Sequence, residues 1–130
     1  MPPMHIITFI VALLVSSAPY RTGAEELTTF KCSYGRVADG EELAATKEPF
    51  SLIFVADKKG DATLVGNNGS SKVTGVWQKN GQGVTFIEIT ESGNVMTTAI
   101  DAANKSAHSR STILGGHVIP SQYYGECRVQ

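Results

Sequence analysis

Asn80-Gly81-Gln82-Gly83-Val84-Thr85-Phe86-Ile87-Glu88-Ile89-Thr90-Glu91-Ser92-Gly93-Asn94 is the stretch that decides the fold. Its middle is rich in β-branched and aromatic residues, which fit a pleated, half-buried surface. Both ends carry Gly with Asn, residues that tolerate the positive φ of tight hairpin turns. One strand between two turns is therefore expected here. The same punctuation recurs at Lys58-Lys59-Gly60, Asn67-Asn68-Gly69, Asn104-Lys105 and Gly115-Gly116, with gaps of nine to twelve residues. That rhythm predicts a meander of short strands.

The segments between the turns agree. Phe50 to Ala56 puts Phe50, Leu52 and Phe54 on one face. Ala62 to Val65 is a short partner, and Lys72 to Trp77 places Val73 and Trp77 together. Val95 to Ile100 and Ala107 to Leu114 continue the pattern. Leu27 to Tyr34 reads as the first strand. Val118 to Val129 reads as the last, broken at Pro120, which cannot donate to a ladder. One short helix is expected where Asp39-Gly40-Glu41-Glu42 resembles a capping box ahead of Leu43-Ala44-Ala45, with Pro49 as its stop.

Residues 1–24 are expected to be a cleavable secretory signal, leaving residues 25–130 as one β-rich domain. Ile6 to Val15 is an apolar run of ten. A spanning helix needs about 20 such residues, so the run suits a signal core, and no stable membrane span is expected after cleavage. Thr22-Gly23-Ala24 supplies small residues for a cut before Glu25. The mature part then carries ten basic and twelve acidic residues. That balance speaks against nucleic acid and against an anionic membrane as an electrostatic partner.

Two cysteines, Cys32 and Cys127, lie near opposite ends of the mature chain. In an exported protein they read as one disulfide. Bridged Cα atoms lie within about 7 Å of each other. First and last strands of a meander meet when the sheet closes, so the expected fold is all-β: a small antiparallel up-and-down barrel of about seven or eight short strands. A two-layer β-sandwich is the alternative.

Candidate ligand-binding residues are His108, Arg110, Thr112, Tyr123 and Tyr124. On a strand His108, Arg110 and Thr112 share a face, and a fixed cation beside an imidazole can hold a carboxylate or phosphate. A solvated outer face with cross-strand partners is the other reading. Tyr123 and Tyr124 point to opposite faces, one packing inside and one free to meet a partner. Trp77 is expected in the core or as the barrel floor. No Gly-x-Ser-x-Gly elbow occurs. The carboxylate pairs Glu88/Glu91 and Asp57/Asp61 lie at or near turns, where charge is ordinary. His108 and His117 lie across a hairpin, a weak pattern for zinc. No catalytic set, metal or cofactor is therefore assigned. Asn68-Gly69-Ser70 and Asn104-Lys105-Ser106 match the glycosylation sequon as well as turn chemistry.

The tail from His108-Ser109-Arg110-Ser111-Thr112-Ile113 through Pro120-Ser121-Gln122-Tyr123-Tyr124-Gly125-Glu126-Cys127 resembles the ending of short exported proteobacterial proteins of unknown function, with similarity reaching back to about Phe50. The resemblance implies a periplasmic or secreted setting. Phe30-Lys31-Cys32 is similar to the opening of periplasmic inhibitors of animal-type lysozyme, small β-barrels with a Cys near each end. Their Ser-Gly loop precedes the Trp-containing strand, whereas Ser92-Gly93 follows Trp77-Gln78-Lys79, so no inhibitory residue carries over. The expected function is a non-enzymatic binding module for a small ligand or for an envelope or extracellular protein. A small periplasmic hydrolase using His108 as general base, or a lysozyme-inhibitor-like protein, is the alternative.

Overall fold

The computed structural model describes residues 26–39 and 42–130. The expected signal peptide and its cut site lie outside the described residues. Eight strands follow in order: β1 (Thr28–Asp39), β2 (Glu42–Ala56), β3 (Asp61–Gly66), β4 (Gly69–Trp77), β5 (Gly83–Ile89), β6 (Val95–Asp101), β7 (Lys105–Leu114) and β8 (His117–Val129). Each pairs antiparallel with the next, and β8 returns to β1, so the sheet is a closed up-and-down barrel. The barrel, rather than the sandwich, is the fold.

Closure depends on the seam between β1 and β8. Cys32 stands directly opposite Cys127, their Cα atoms 3.9 Å apart, and the two are bonded. Two residues on from Cys32, Tyr34 faces Gly125. A Cβ on Gly125 would lie 1.9 Å from the carbonyl oxygen of Ser33, so only glycine lets the strands approach this closely.

Alternation sorts the side chains. Phe30, Phe54, Phe86, Val73, Val84 and Ile100 point inward and fill one end of the barrel. Phe54 and Phe86 stack with ring centroids 4.4 Å apart. Trp77 packs beside Phe30 and closes this end, its indole N–H donating to the Asp57 carbonyl at 2.9 Å. The turn from Asp57 is fixed by its carboxylate, which accepts from the amides of Lys59, Gly60 and Asp61. Asp57 is thus a buried turn-former, and Asp61 is exposed. They do not form a catalytic pair.

The expected helix over Asp39–Ala45 is absent. β1 runs through Asp39 and β2 starts at Glu42, with Val37 paired to Ala44 and Arg36 to Ala45. Asp-Gly is turn chemistry as much as cap chemistry, and a two-turn helix is marginal without partners. The β1 edge supplies hydrogen bonds that such a helix lacks. Pro49 stops nothing. The register jumps from Tyr34–Phe50 to Arg36–Ala45, so Thr46 to Pro49 bulge out opposite Gly35, where a missing N–H costs no ladder bond.

Pro120 does not break the last strand either. β8 is continuous from His117, and Pro120 pairs with Ser111. β1 accompanies β8 only as far as Gln122, so among the described residues Pro120 lies where β8 has a single neighbouring strand. An edge strand tolerates proline.

Candidate functional site

The end opposite Trp77 is open and polar. A mouth of about 970 Å³ descends into the barrel there, lined by Phe50, Glu88, Met96, Arg110 and Tyr123 together with the β2 bulge and the β3–β4 turn. This size is that of a small-ligand cleft. A smaller recess of about 550 Å³ flanks Trp77 at the closed end.

His108 lies buried beneath Arg110 and does not itself line the mouth. It is inward-facing on β7, opposite Thr98 of β6 and Tyr123 of β8, and only 1 % exposed. Its Nε2 accepts a hydrogen bond from Arg110 Nε–H at 3.0 Å. Guanidinium N–H can only donate, so Nε2 carries the lone pair and Nδ1 the proton. Nδ1–H then donates to Thr98 Oγ1 at 2.7 Å. Burial, and next the Arg110 charge, push the imidazole down to about pKa 4, so it is neutral at physiological pH.

Arg110 sits one step above, against two rings that touch each other. Its guanidinium carbon lies 5.0 Å from the Phe50 centroid and 5.3 Å from that of Tyr123. Those rings meet edge to face at 4.8 Å. Such cation–π contacts hold the planar group without neutralising it. Among the described residues no carboxylate approaches Arg110 within ion-pair distance. Its Nε is spent on His108, and its terminal nitrogens have no side-chain hydrogen-bond partner among the described residues.

Tyr34 supports this arrangement. Its ring stacks on Phe50 at 5.1 Å, and its hydroxyl pairs with Ser106 Oγ at 2.8 Å. Burial raises its pKa to about 12, outweighing the Ser106 bond, so the phenol stays neutral. Across the mouth, Glu88 Oε1 accepts from Ser71 Oγ–H at 3.0 Å. Glu88, Met96 and Arg110 lie in one cross-strand row, two strand spacings from end to end, roughly 10 Å. Glu88 Oε2 and Thr46 Oγ1 are the buried side-chain atoms without a partner among the described residues, and both residues line the mouth.

The structure brings together three of the five expected site residues. His108, Arg110 and Tyr123 converge inside the barrel, not on a solvated outer face. Thr112 follows Arg110 on the same side of β7 but lies past the rim, paired with Ile119, and does not line the mouth. Tyr124 is on the outer surface, where its hydroxyl donates to Gln122 Oε1 at 3.0 Å.

The weaker patterns dissolve. His117 pairs with Leu114 at the hairpin tip, six residues along β7 from His108, roughly 20 Å. The two cannot share a zinc ion. Glu91 is exposed in the β5–β6 turn while Glu88 points inward. Among the described residues no group of three or more metal-ligating side chains exists.

Sequence reasoning missed Phe50, Glu88 and Met96 as parts of the site. One signal pointed at Glu88: it shares the parity of Val84 and Phe86, the core face of β5.

No family model matches the sequence, and nothing similar emerges among curated proteins or solved structures.

Proposed function

We propose that this protein is an exported, non-enzymatic binding module whose barrel mouth takes up a small anion, a carboxylate or phosphate, on Arg110. The observation that carries the reading is a half-buried guanidinium, resting against Phe50 and Tyr123 and backed by neutral His108, with no carboxylate partner among the described residues. An arginine partly shielded from water is a strong bidentate anion receptor. The preorganised rings and imidazole reduce the ordering cost of binding. His108 is poorly placed for proton transfer: its lone pair accepts from Arg110 and its N–H is given to Thr98. That favours binding over hydrolysis. The disulfide fits an oxidising compartment, periplasmic or extracellular.

Titration calorimetry with acetate, benzoate, citrate and inorganic phosphate tests the reading. The wild-type protein should bind at least one of them, and Arg110→Met should weaken that binding at least tenfold while leaving the fold intact. Absence of binding to any of the four, or equal binding by Arg110→Met, would overturn it.

A further inference from the structure

At the rim of the mouth the β7–β8 hairpin outgrows the barrel. β6 accompanies β7 only to Ser111, and β1 accompanies β8 only to Gln122. Among the described residues, Thr112 to Leu114 and their partners His117 to Ile119 therefore project with no neighbouring strand on either side, by about 10 Å. Gly115 and Gly116, both at positive φ, make the two-residue turn. The projecting segment carries no Asp, Glu, Lys or Arg. Its large side chains are held out to solvent: Ile113 is 63 % exposed, Leu114 60 %, Val118 66 % and Ile119 47 %.

Alternation divides these four between the two faces of the hairpin. Ile113 is paired with Val118 on one face; Leu114 and Ile119 lie on the other. An occupant that satisfies both must surround the tip. A flat protein surface covers one face only. The four side chains offer roughly 250 Å² of apolar area, judged from their exposure and the usual transfer energies. A stable protein interface buries about 800 Å² per partner, a little over half of it apolar, or about 450 Å², so a second copy seated on the tip alone is undersupplied. Strand addition is also blunted, because the free β7 edge is three residues long and the β8 edge contains Pro120.

We infer that the β7–β8 hairpin tip inserts into the interfacial layer of an uncharged phospholipid bilayer. The interface of a bilayer surrounds what enters it and receives apolar side chains to a depth of about 5–10 Å, which matches the projection. Headgroups and water at that depth can satisfy the open hairpin edges. Attraction is apolar and not electrostatic, in keeping with the net negative charge. The mouth then opens toward the membrane surface.

The test uses residues 26–130, which contain all eight strands and the disulfide but not the apolar run Ile6–Val15 that would bind lipid on its own. The protein is floated with vesicles of phosphatidylcholine and phosphatidylethanolamine. Wild type should co-float, and Ile113→Asp and Val118→Asp should each lose at least tenfold in partitioning while keeping wild-type thermal unfolding. A tryptophan placed by Leu114→Trp should shift to the blue and be quenched by brominated lipid, while Trp77 at the far end is unchanged. Flotation of the Asp variants equal to wild type, flotation only with anionic vesicles, or failure of wild type to float would each overturn the inference. So would a dimer, seen by sedimentation without lipid, that Ile113→Asp abolishes. Arg110→Met should float like wild type, so loss of anion binding and loss of lipid binding are separable.

Discussion

Burying a neutral histidine makes the barrel acid-sensitive in a way that His108→Gln should remove. The unfolded chain takes up this proton near pH 6.5, its ordinary value, and the folded chain only near 4. Between those values unfolding binds a proton, so stability falls as pH falls. It is fully present above pH 6.5 and is lost progressively down to about 4. At about 1.4 kcal/mol per pH unit the loss attributable to this side chain is on the order of 3 kcal/mol. Urea unfolding of the oxidised protein at stepped pH, followed by Trp77 fluorescence, gives the curve. Carboxylates also protonate toward pH 4, but they do so in both proteins, so the difference between wild type and His108→Gln isolates the imidazole. The variant starts less stable, because it loses packing and one of two hydrogen bonds, and its curve should be flatter by about 3 kcal/mol between pH 7 and 4. Arg110→Met removes the second cause of the shift and should fall between the two. Equal acid losses in wild type and His108→Gln would refute the buried, neutral imidazole beneath Arg110, as would an NMR titration of folded His108 near 6.5.

Two further predictions concern the seam. Gly125→Ala forces a Cβ against the Ser33 carbonyl, a contact no flexible side chain can relieve, and should cost at least about 3 kcal/mol in urea unfolding; stability within 1 kcal/mol of wild type would show the strands to be more loosely joined. Reduction of Cys32–Cys127, which lie 95 residues apart in sequence, should cost about 4–5 kcal/mol on the chain-entropy account. Hydrogen exchange should then show protection lost around both Phe30 and Tyr123 and weakened in the middle hairpins, whereas loss confined to the last dozen residues would contradict a closed sheet.

The barrel was legible because its evidence is redundant. Turn residues recur at hairpin spacing, and two cysteines in the first and last strands demand that those strands meet. The misread pieces are those whose local chemistry is degenerate. Asp39-Gly40-Glu41-Glu42 serves a cap and a hairpin equally, and the choice is made by β1, which offers Val37 and Arg36 as partners to Ala44 and Ala45. Pro120 forbids a central strand but not the one-sided stretch it occupies. At the site, alternation placed His108 and Arg110 on one face of β7, but not which face. The opposite face of that strand is Ala107, Ser109 and Ser111, no more apolar, so hydropathy gives no direction. Closure decides it. Phe50, Glu88 and Thr98 join from β2, β5 and β6 through cross-strand registers that no local pattern encodes.

The claim on which the functional reading rests is that Arg110 meets the guest. NMR observation of the Arg110 guanidinium nitrogens during titration with benzoate, or with whichever acid calorimetry selects, tests it most directly. The Arg110 signals and the ring signals of Phe50 and Tyr123 should move together and saturate, while the Trp77 indole at the closed end stays fixed and Arg110→Met abolishes the response. A saturating shift at Trp77 with Arg110 unmoved would place the guest in the wrong end of the barrel and contradict the account.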